Sequence, residues 1–194
     1  PRALGNRSIL GNPLLDNMQK QINLKIKFRE SFRPFAPMVI EEEASEWFDL
    51  DCSSPYILLV ANINPSKLNK INESDINDKL GFKKLEIKRS SIPSVTHVDN
   101  SARIQTVHKS SNKLIYKLLQ EFKKLTGCPV LINTSFNVRG EPIVLTPEDA
   151  YNCFLNTHID YLIMDNYIVD KKEIDPNLKL VSNESDLLTN FPLD

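Results

Sequence analysis

Three cysteines and three histidines are all the thiol and imidazole ligands in 194 residues. Cys52, Cys128 and Cys153 are far apart, odd in number and without metal spacing. That argues against a disulfide framework and a zinc site, and fits reduced, packed thiols in a cytoplasmic protein. His97, His108 and His158 form no ligand cluster, so no protein-held metal is expected. An excess of one charge is lacking too: 24 basic residues face 25 acidic ones, for a net charge of -1. No global field is available to bind nucleic acid or an anionic membrane, so any anion site must be a local focus. No apolar run approaches transmembrane length and no signal peptide opens the chain, so no membrane association is expected. The sequons at Asn6, Asn133 and Asn183 then read as chance matches. P-loop and G-x-G-x-x-G motifs are absent, and Ser135 lacks a G-x-S-x-G setting.

The hydrophobic fraction, 41%, is enough for one core, and the length suits one domain carrying an insertion. The chain opens on Pro1 inside a motif-like stretch, which predicts a piece of a longer polypeptide. Its most unusual stretch is KIKFRESFRPFAP, residues 25–37. Lys25, Lys27, Arg29 and Arg33 bring four cations into nine residues, with Phe28, Phe32 and Phe35 threaded between them. Aromatics at that density predict packing, and a cation at the edge of a core needs an anion or a carboxylate. The alternation of Lys25, Lys27 and Arg29 with Ile26 and Phe28 predicts a half-buried strand with charge on one face. One reading is a surface strand paired with Glu30 and Glu41–Glu43. The other is a phosphate or carboxylate site, for which Arg offers a planar fork and Lys a movable point charge.

Around that stretch the pattern predicts a mixed α/β chain. Residues 1–11 (PRALGNRSILG) read as a turn-rich arm carrying Arg2 and Arg7, and apolar spacing predicts a helix over 14–25. Pro34 and Pro37 are expected to stop regular structure. A short strand over 38–42, a helical turn anchored by Trp47 and a buried strand over 56–61 (YILLVA) follow. Residues 62–84, rich in Asn, Lys, Ser and Asp, read as a surface insertion. Short strands at 95–98 and 104–107 flank a turn at 99–102, and 112–126 is the clearest helix, capped by Gly127. A strand over 129–133, a loop over 134–140 and a strand over 142–145 lead to a helix start at Thr146-Pro147. A closing strand pair surrounds Asp165-Asn166, and 171–194 reads as a polar tail or linker. Strands and helices mix without regular βαβ alternation, which predicts an α/β (α+β) mixed sheet instead of a doubly wound one.

Four polar stretches stand beside these strands: PRALGNRS, KFRESFRPFAP, THVDNSARIQTV and NTSFNVRGEPIV. They are rich in Arg and Lys and poor in His. The inventory fits electrostatic handling of phosphates, where positioning and charge neutralisation carry the chemistry. His97, two residues from Asp99, fits a hydrogen-bonded structural imidazole better than a base.

In this order the four stretches resemble the C-terminal domain of O-carbamoyltransferases of the NodU/CmcH type, over about residues 1–170. That domain is similar to the YrdC-like synthases, so the resemblance implies a twisted mixed sheet with flanking helices and an electropositive cavity. It implies formation of carbamoyl-adenylate from carbamoyl phosphate and ATP, with Mg²⁺ entering as part of the ATP complex. It also implies a partner, an N-terminal actin-like domain of the same full-length chain, which passes the carbamoyl group to a hydroxyl. Arg2, Lys27 and Arg33 correspond to the carbamoyl phosphate clamp, Lys27 and Arg33 acting electrostatically in catalysis. Arg103, Ser135 and Asn137 correspond to the ATP side, Ser135 and Asn137 resembling an S-x-N pair. Arg29, paired with Lys27 in a K-x-R pattern, joins Thr96, His97, Asp99 and Asn133 as second-rank candidates. The competing class is a nucleotide- or RNA-binding module without catalysis, since a concave basic sheet can track a backbone. The near-zero net charge argues against nucleic acid.

Overall fold

The computed structural model describes residues 4–71 and 81–175. Arg2, most of the tail and the middle of the predicted insertion lie outside them. Five strands make one mixed sheet: β1 (Ser8–Gly11), β2 (Ala36–Ile40), β3 (Leu59–Asn62), β4 (Ser101–Val107) and β5 (Val130–Ser135). Their order across the sheet is β1-β5-β2-β4-β3. Only the β2–β4 pair is parallel, with Met38 opposite Gln105, while β5 runs antiparallel to both β1 and β2. A separate hairpin joins β6 (Tyr161–Met164) to β7 (Tyr167–Asp170) around the turn at Asp165-Asn166. The mixed α/β architecture is therefore as the sequence pattern implied.

Strand alternation sends successive side chains to opposite faces, and the two faces are covered unequally. One face is the floor of the main core, where Val39, Ala102, Ile104, Val130 and Ile132 meet Ile22, Ile26, Phe48 and Phe154. Ile22 and Ile26 belong to and follow α1 (Met18–Lys25), Phe48 follows α2 (Ala44–Trp47), and Phe154 belongs to α4 (Pro147–Leu155). On the other face α3 (Lys113–Thr126) lays Ile115 and Leu119 over Met38, Ile40, Val107 and Leu131. That helix begins at Asn112, whose side chain accepts from Ile115 N, and ends at Gly127 in the left-handed conformation (φ 78°). Helix α4 starts with a reciprocal cap between Thr146 and Asp149 behind Pro147. No helix among the described residues is long and apolar enough to cross a membrane.

Several local expectations give way to tertiary structure. The helix predicted over 14–25 starts at Met18. The arm at 1–11 contributes a sheet strand, β1. Pro37 lies inside β2, opposite Ile132 and one residue before pairing with β4 begins at Met38, where its missing N–H costs no ladder bond to β4. The apolar run YILLVA is not a buried strand: β3 spans Leu59–Asn62 at the sheet edge, with Leu58 77% and Val60 58% exposed. Residues 95–98 end a 3-10 turn instead of forming a strand, and 142–145 are irregular, tied back by Val144 N to Phe136 O at 3.0 Å. The start of the predicted insertion is integral to the fold, since Ile63 is fully buried in the core.

Candidate functional site

The basic stretch is a wrapped loop, not an alternating strand. Helix α1 ends at Lys25, and Phe28 takes a positive φ of 47°, so the chain doubles back around the helix terminus. Ile26, Lys27 and Phe28 are all buried, which no two-faced strand would allow. The returning loop is held by one face of α1. Asn23, with no solvent exposure, donates through Nδ2 to Ser31 O (3.1 Å) and Arg33 O (2.9 Å) and accepts at Oδ1 from Arg29 Nε (2.7 Å). Gln19, one turn earlier, also donates to Phe32 O and Arg33 O. Arg29 then lies over the Phe35 ring, 5.1 Å from its centroid.

Lys27 is the centre of this arrangement. Its side chain reaches from the end of α1 to the end of β5, 3% exposed. Nζ donates to the backbone oxygen of Ser135, to Ser135 Oγ (3.2 Å), to Asn137 O (2.8 Å) and to Asn137 Oδ1 (2.7 Å). Ser135 Oγ in turn donates to Asn137 Oδ1 at 2.7 Å, and Asn137 Nδ2 donates to Glu141 O at 2.8 Å. An ammonium has three protons. Here four neutral oxygens crowd it, so one proton can turn to an incoming anion without leaving the group bare.

A guanidinium cluster gathers around Glu30, three residues past Lys27. Arg33 pairs with Glu30 at 2.8 Å. Arg139 N donates to Lys27 O at 3.3 Å, and the Arg139 charge acts on Glu30. Hydrogen bonding to its own backbone, with Arg33 and Arg139 adding, holds the Glu30 carboxyl below its ordinary value. Burial, and then the neighbouring Arg33, lower Arg29 from its ordinary value.

Three of the sequence-nominated residues are thus brought together by direct contact, Lys27, Ser135 and Asn137; Arg29 and Arg33 lie on the loop that follows Lys27, around Glu30. Asn133 lies on the same strand face as Ser135, two residues earlier, and donates to Gln105 Oε1 at 2.5 Å. Arg103 stands apart on β4, opposite Val60 and exposed, two residues from Gln105 on the same face. From the β5 to the β4 backbone is two strand spacings, about 10 Å.

Thr96, His97 and Asp99 have structural partners. Thr96 Oγ1 donates to Ile92 O, and His97 Nδ1 contacts Ser101 Oγ at 3.0 Å. Asp99 Oδ1 accepts from both the N–H and the hydroxyl of Ser101, which lowers its carboxyl pKa. Burial lowers the His97 pKa, so the imidazole is neutral near pH 7 and fits the structural reading. Two hollows, of about 660 and 450 Å³, lie elsewhere: one by Asp49, Asp51 and Asp99, the other behind Phe28 by Glu141 and Cys153. Neither is lined by Lys27, Arg33, Arg103 or Ser135.

Comparison with known proteins gives this arrangement a context. A family model described as Carbamoyltransferase C-terminus matches residues 1–171. The chain belongs to that family. An uncharacterized protein of Synechocystis sp. is 55% identical over 171 residues, covering 88% of this chain and 28% of that protein. Nodulation protein NolNO of Sinorhizobium fredii is 39% identical over 91% of this chain and 23% of its own length. Nodulation protein NolO of Bradyrhizobium diazoefficiens is 38% identical over 89% and 28%. The carbamoyltransferase C-terminal chain therefore spans about a quarter of the length of the curated relatives it matches.

Sequence reasoning missed three residues that shape this arrangement. Asn23 carried no signal beyond a polar residue interrupting a helix's apolar spacing. Arg139 lay within the quoted NTSFNVRGEPIV stretch, yet nothing local told that its backbone meets Lys27. Gln105 was only one position of the predicted strand over 104–107, and nothing local told that it is buried, at 5% exposure.

The thiols take no part. Burial pushes Cys128 up to about 11 and Cys153 up to about 12, so neither is a thiolate at neutral pH, and Cys52 is exposed. With a thiol reagent at pH 8, one cysteine is expected to react promptly and two only on unfolding. Prompt reaction of all three would show that the core around Val130 and Phe154 is not closed as described.

Proposed function

We propose that this chain is the part of a carbamoyltransferase that binds carbamoyl phosphate and ATP and forms carbamoyl-adenylate. The observation that carries the reading is the Lys27 ammonium, buried among oxygens of Ser135 and Asn137, with Arg29, Arg33 and Arg139 gathered around Glu30 on the loop that follows it. Family membership supplies the reaction class, and this local cation focus supplies the means. Two phosphate charges about 4 Å apart repel by ~4 kcal/mol at an effective dielectric of 20, so one cation is not enough to bring two such substrates together. Lys27 and Arg33 would hold the carbamoyl phosphate oxygens; Ser135 and Asn137 would orient Lys27 and meet the nucleotide phosphates, with Arg103 closing the far side. Arg2, at the chain start, belongs to the same clamp in this reading.

The chemistry asked of these residues is electrostatic. Water takes the phosphoryl group of carbamoyl phosphate, breaking its P–O bond to give carbamate and inorganic phosphate; a carbamate oxygen then attacks the α-phosphorus of ATP and pyrophosphate leaves. Developing negative charge on the pentacoordinate phosphorus is met by donors already in place, which avoids reorganisation during the step. Mg²⁺ arrives with ATP, held by phosphate oxygens and water. Transfer from the adenylate to a hydroxyl acceptor falls to the remainder of the full-length chain.

The test uses the full-length protein with ATP, Mg²⁺ and carbamoyl phosphate, following pyrophosphate. Release that requires both substrates supports the reading. No release, or release indifferent to carbamoyl phosphate, overturns it.

A further inference from the structure

We infer that the Asn133–Gln105 carboxamide pair is the part of the sheet that reads the amino group of the carbamoyl substrate. The inference rests on carbamoyl phosphate being the substrate of the site. Asn133 is 1% exposed and Gln105 5%, on strands β5 and β4 with β2 between them. Asn133 sits opposite Ala36, and Gln105 opposite Met38. The 2.5 Å bond from Asn133 Nδ2 to Gln105 Oε1 therefore crosses β2, and the small Ala36 side chain leaves room for it. The same sheet face is otherwise apolar where α3 covers it: Met38, Ile40, Val107 and Leu131. Two amides that could have been leucines need a reason to be there.

The pair is satisfied only in part. Asn133 Oδ1 is buried and has no hydrogen-bond partner. A buried acceptor without a donor is unfavourable, and native proteins retain few of them without a functional or bound-molecule explanation. By engaging Nδ2, Gln105 leaves the oxygen as the open end of the amide, so what it awaits is an N–H or O–H donor.

Its position says which. Ser135, two residues along β5, lies about 7 Å away on the same face. The Ser135 hydroxyl is within 3.2 Å of Lys27 Nζ. On the other side Arg103 is two residues from Gln105. In register, the open acceptor's residue thus lies between Ser135 on its own strand and Arg103, which is level with it across β2. Carbamoyl phosphate has the complementary layout: an anionic phosphate at one end, a neutral amino donor at the other. Acetyl phosphate matches it in size and charge but presents a methyl group where the amino group would be. A site built around a hydrogen bond to a substrate N–H rejects the analogue that lacks it far more strongly than a merely apolar pocket does. The alternative occupant is a single internal water, which would confer no such preference.

The experiment compares kcat/KM for ATP-dependent pyrophosphate release with carbamoyl phosphate and with acetyl phosphate in the full-length protein. The wild type is expected to prefer carbamoyl phosphate by at least about 10³-fold. Gln105→Met, which removes the acceptor that orients Asn133, is expected to lower that ratio by about 10-fold or more through the carbamoyl arm, with KM for ATP unchanged. Gln105→Glu keeps an oxygen for Asn133 Nδ2 and should retain most of the preference. Should Gln105→Met fail to fold, Gln105→Asn, whose shorter amide cannot span β2, should show the same fall. An unchanged ratio in a folded Met or Asn variant overturns the inference, as does a wild type that turns over both substrates alike. A wild type with no pyrophosphate release at all overturns the reading of the site and this inference with it.

Discussion

Lys27→Met in the full-length protein is expected to lower ATP-dependent pyrophosphate release by at least about 10³-fold, the upper range for loss of one preorganised charged donor. Methionine matches the length of the lysine stem and removes only the charge and its three protons. The fold should persist. The ammonium is buried to 3% exposure, and its solvation is supplied by neutral oxygens. Removing a buried charge relieves a desolvation cost that partly offsets the acceptors left behind. Ser135 and Asn137 also keep their mutual bond and the link to Glu141 O. Circular dichroism and thermal denaturation establish folding; pyrophosphate release then reads the charge. Near-normal turnover in a folded Lys27→Met protein would remove the centre from the proposed site. Lys124→Ala, on the exposed side of α3 and paired with Glu121, is the matched control and should leave turnover unchanged.

Asn23→Leu is expected to act on the same activity from a distance and to cost stability as well. Leucine keeps the branched shape of asparagine but serves only one of the four groups that now use residue 23: Ser31 O, Arg33 O and Arg29 Nε through the side chain, Arg29 N through the backbone. Only the backbone bond survives. Ser31 O and one guanidinium N–H lose their partner and Arg33 O keeps only Gln19, and at about 1–3 kcal/mol for each orphaned buried group, discounted because the loop can partly rehydrate, the loss is about 3 kcal/mol. Arg29 and Arg33 then no longer share a fixed loop, and turnover is expected to fall about 100-fold, the scale of a 1 Å misplacement in a preorganised site. Urea denaturation with the midpoint compared at constant slope measures the first effect. A variant as stable as wild type would mean that Asn23 does not anchor the loop.

The sequence made some of this legible and hid the rest for identifiable reasons. Helices α3 and α4 were readable because their signals are local: apolar spacing, Asn112 and Thr146 as caps, Gly127 as the stop. The gathering of Lys27 with Ser135 and Asn137 could be expected only through resemblance, because residues more than a hundred positions apart leave no periodic trace. The alternation of 25–29 pointed to a strand, and the positive φ at Phe28 defeated that pattern. The apolar run at 56–61 pointed to burial, but apolarity does not distinguish a central strand from an edge strand with both faces open. Pro37 seemed a stop signal, yet its place one residue ahead of the β4 ladder removed the penalty.

Among the described residues no two strands of the main sheet are joined by a tight turn: Ser8 meets Ser135, Val39 meets Val130, and Asn62 meets Ser101 across a long excursion. Closure entropy grows only logarithmically, about 0.6 kcal/mol per doubling of a connection. Lengthening the excursion between β3 and β4 should therefore be cheap. Extra length there would leave the pairings of Ser8, Val39 and Asn62 as they are, so this edge of the sheet is where the chain can grow at least cost to the fold.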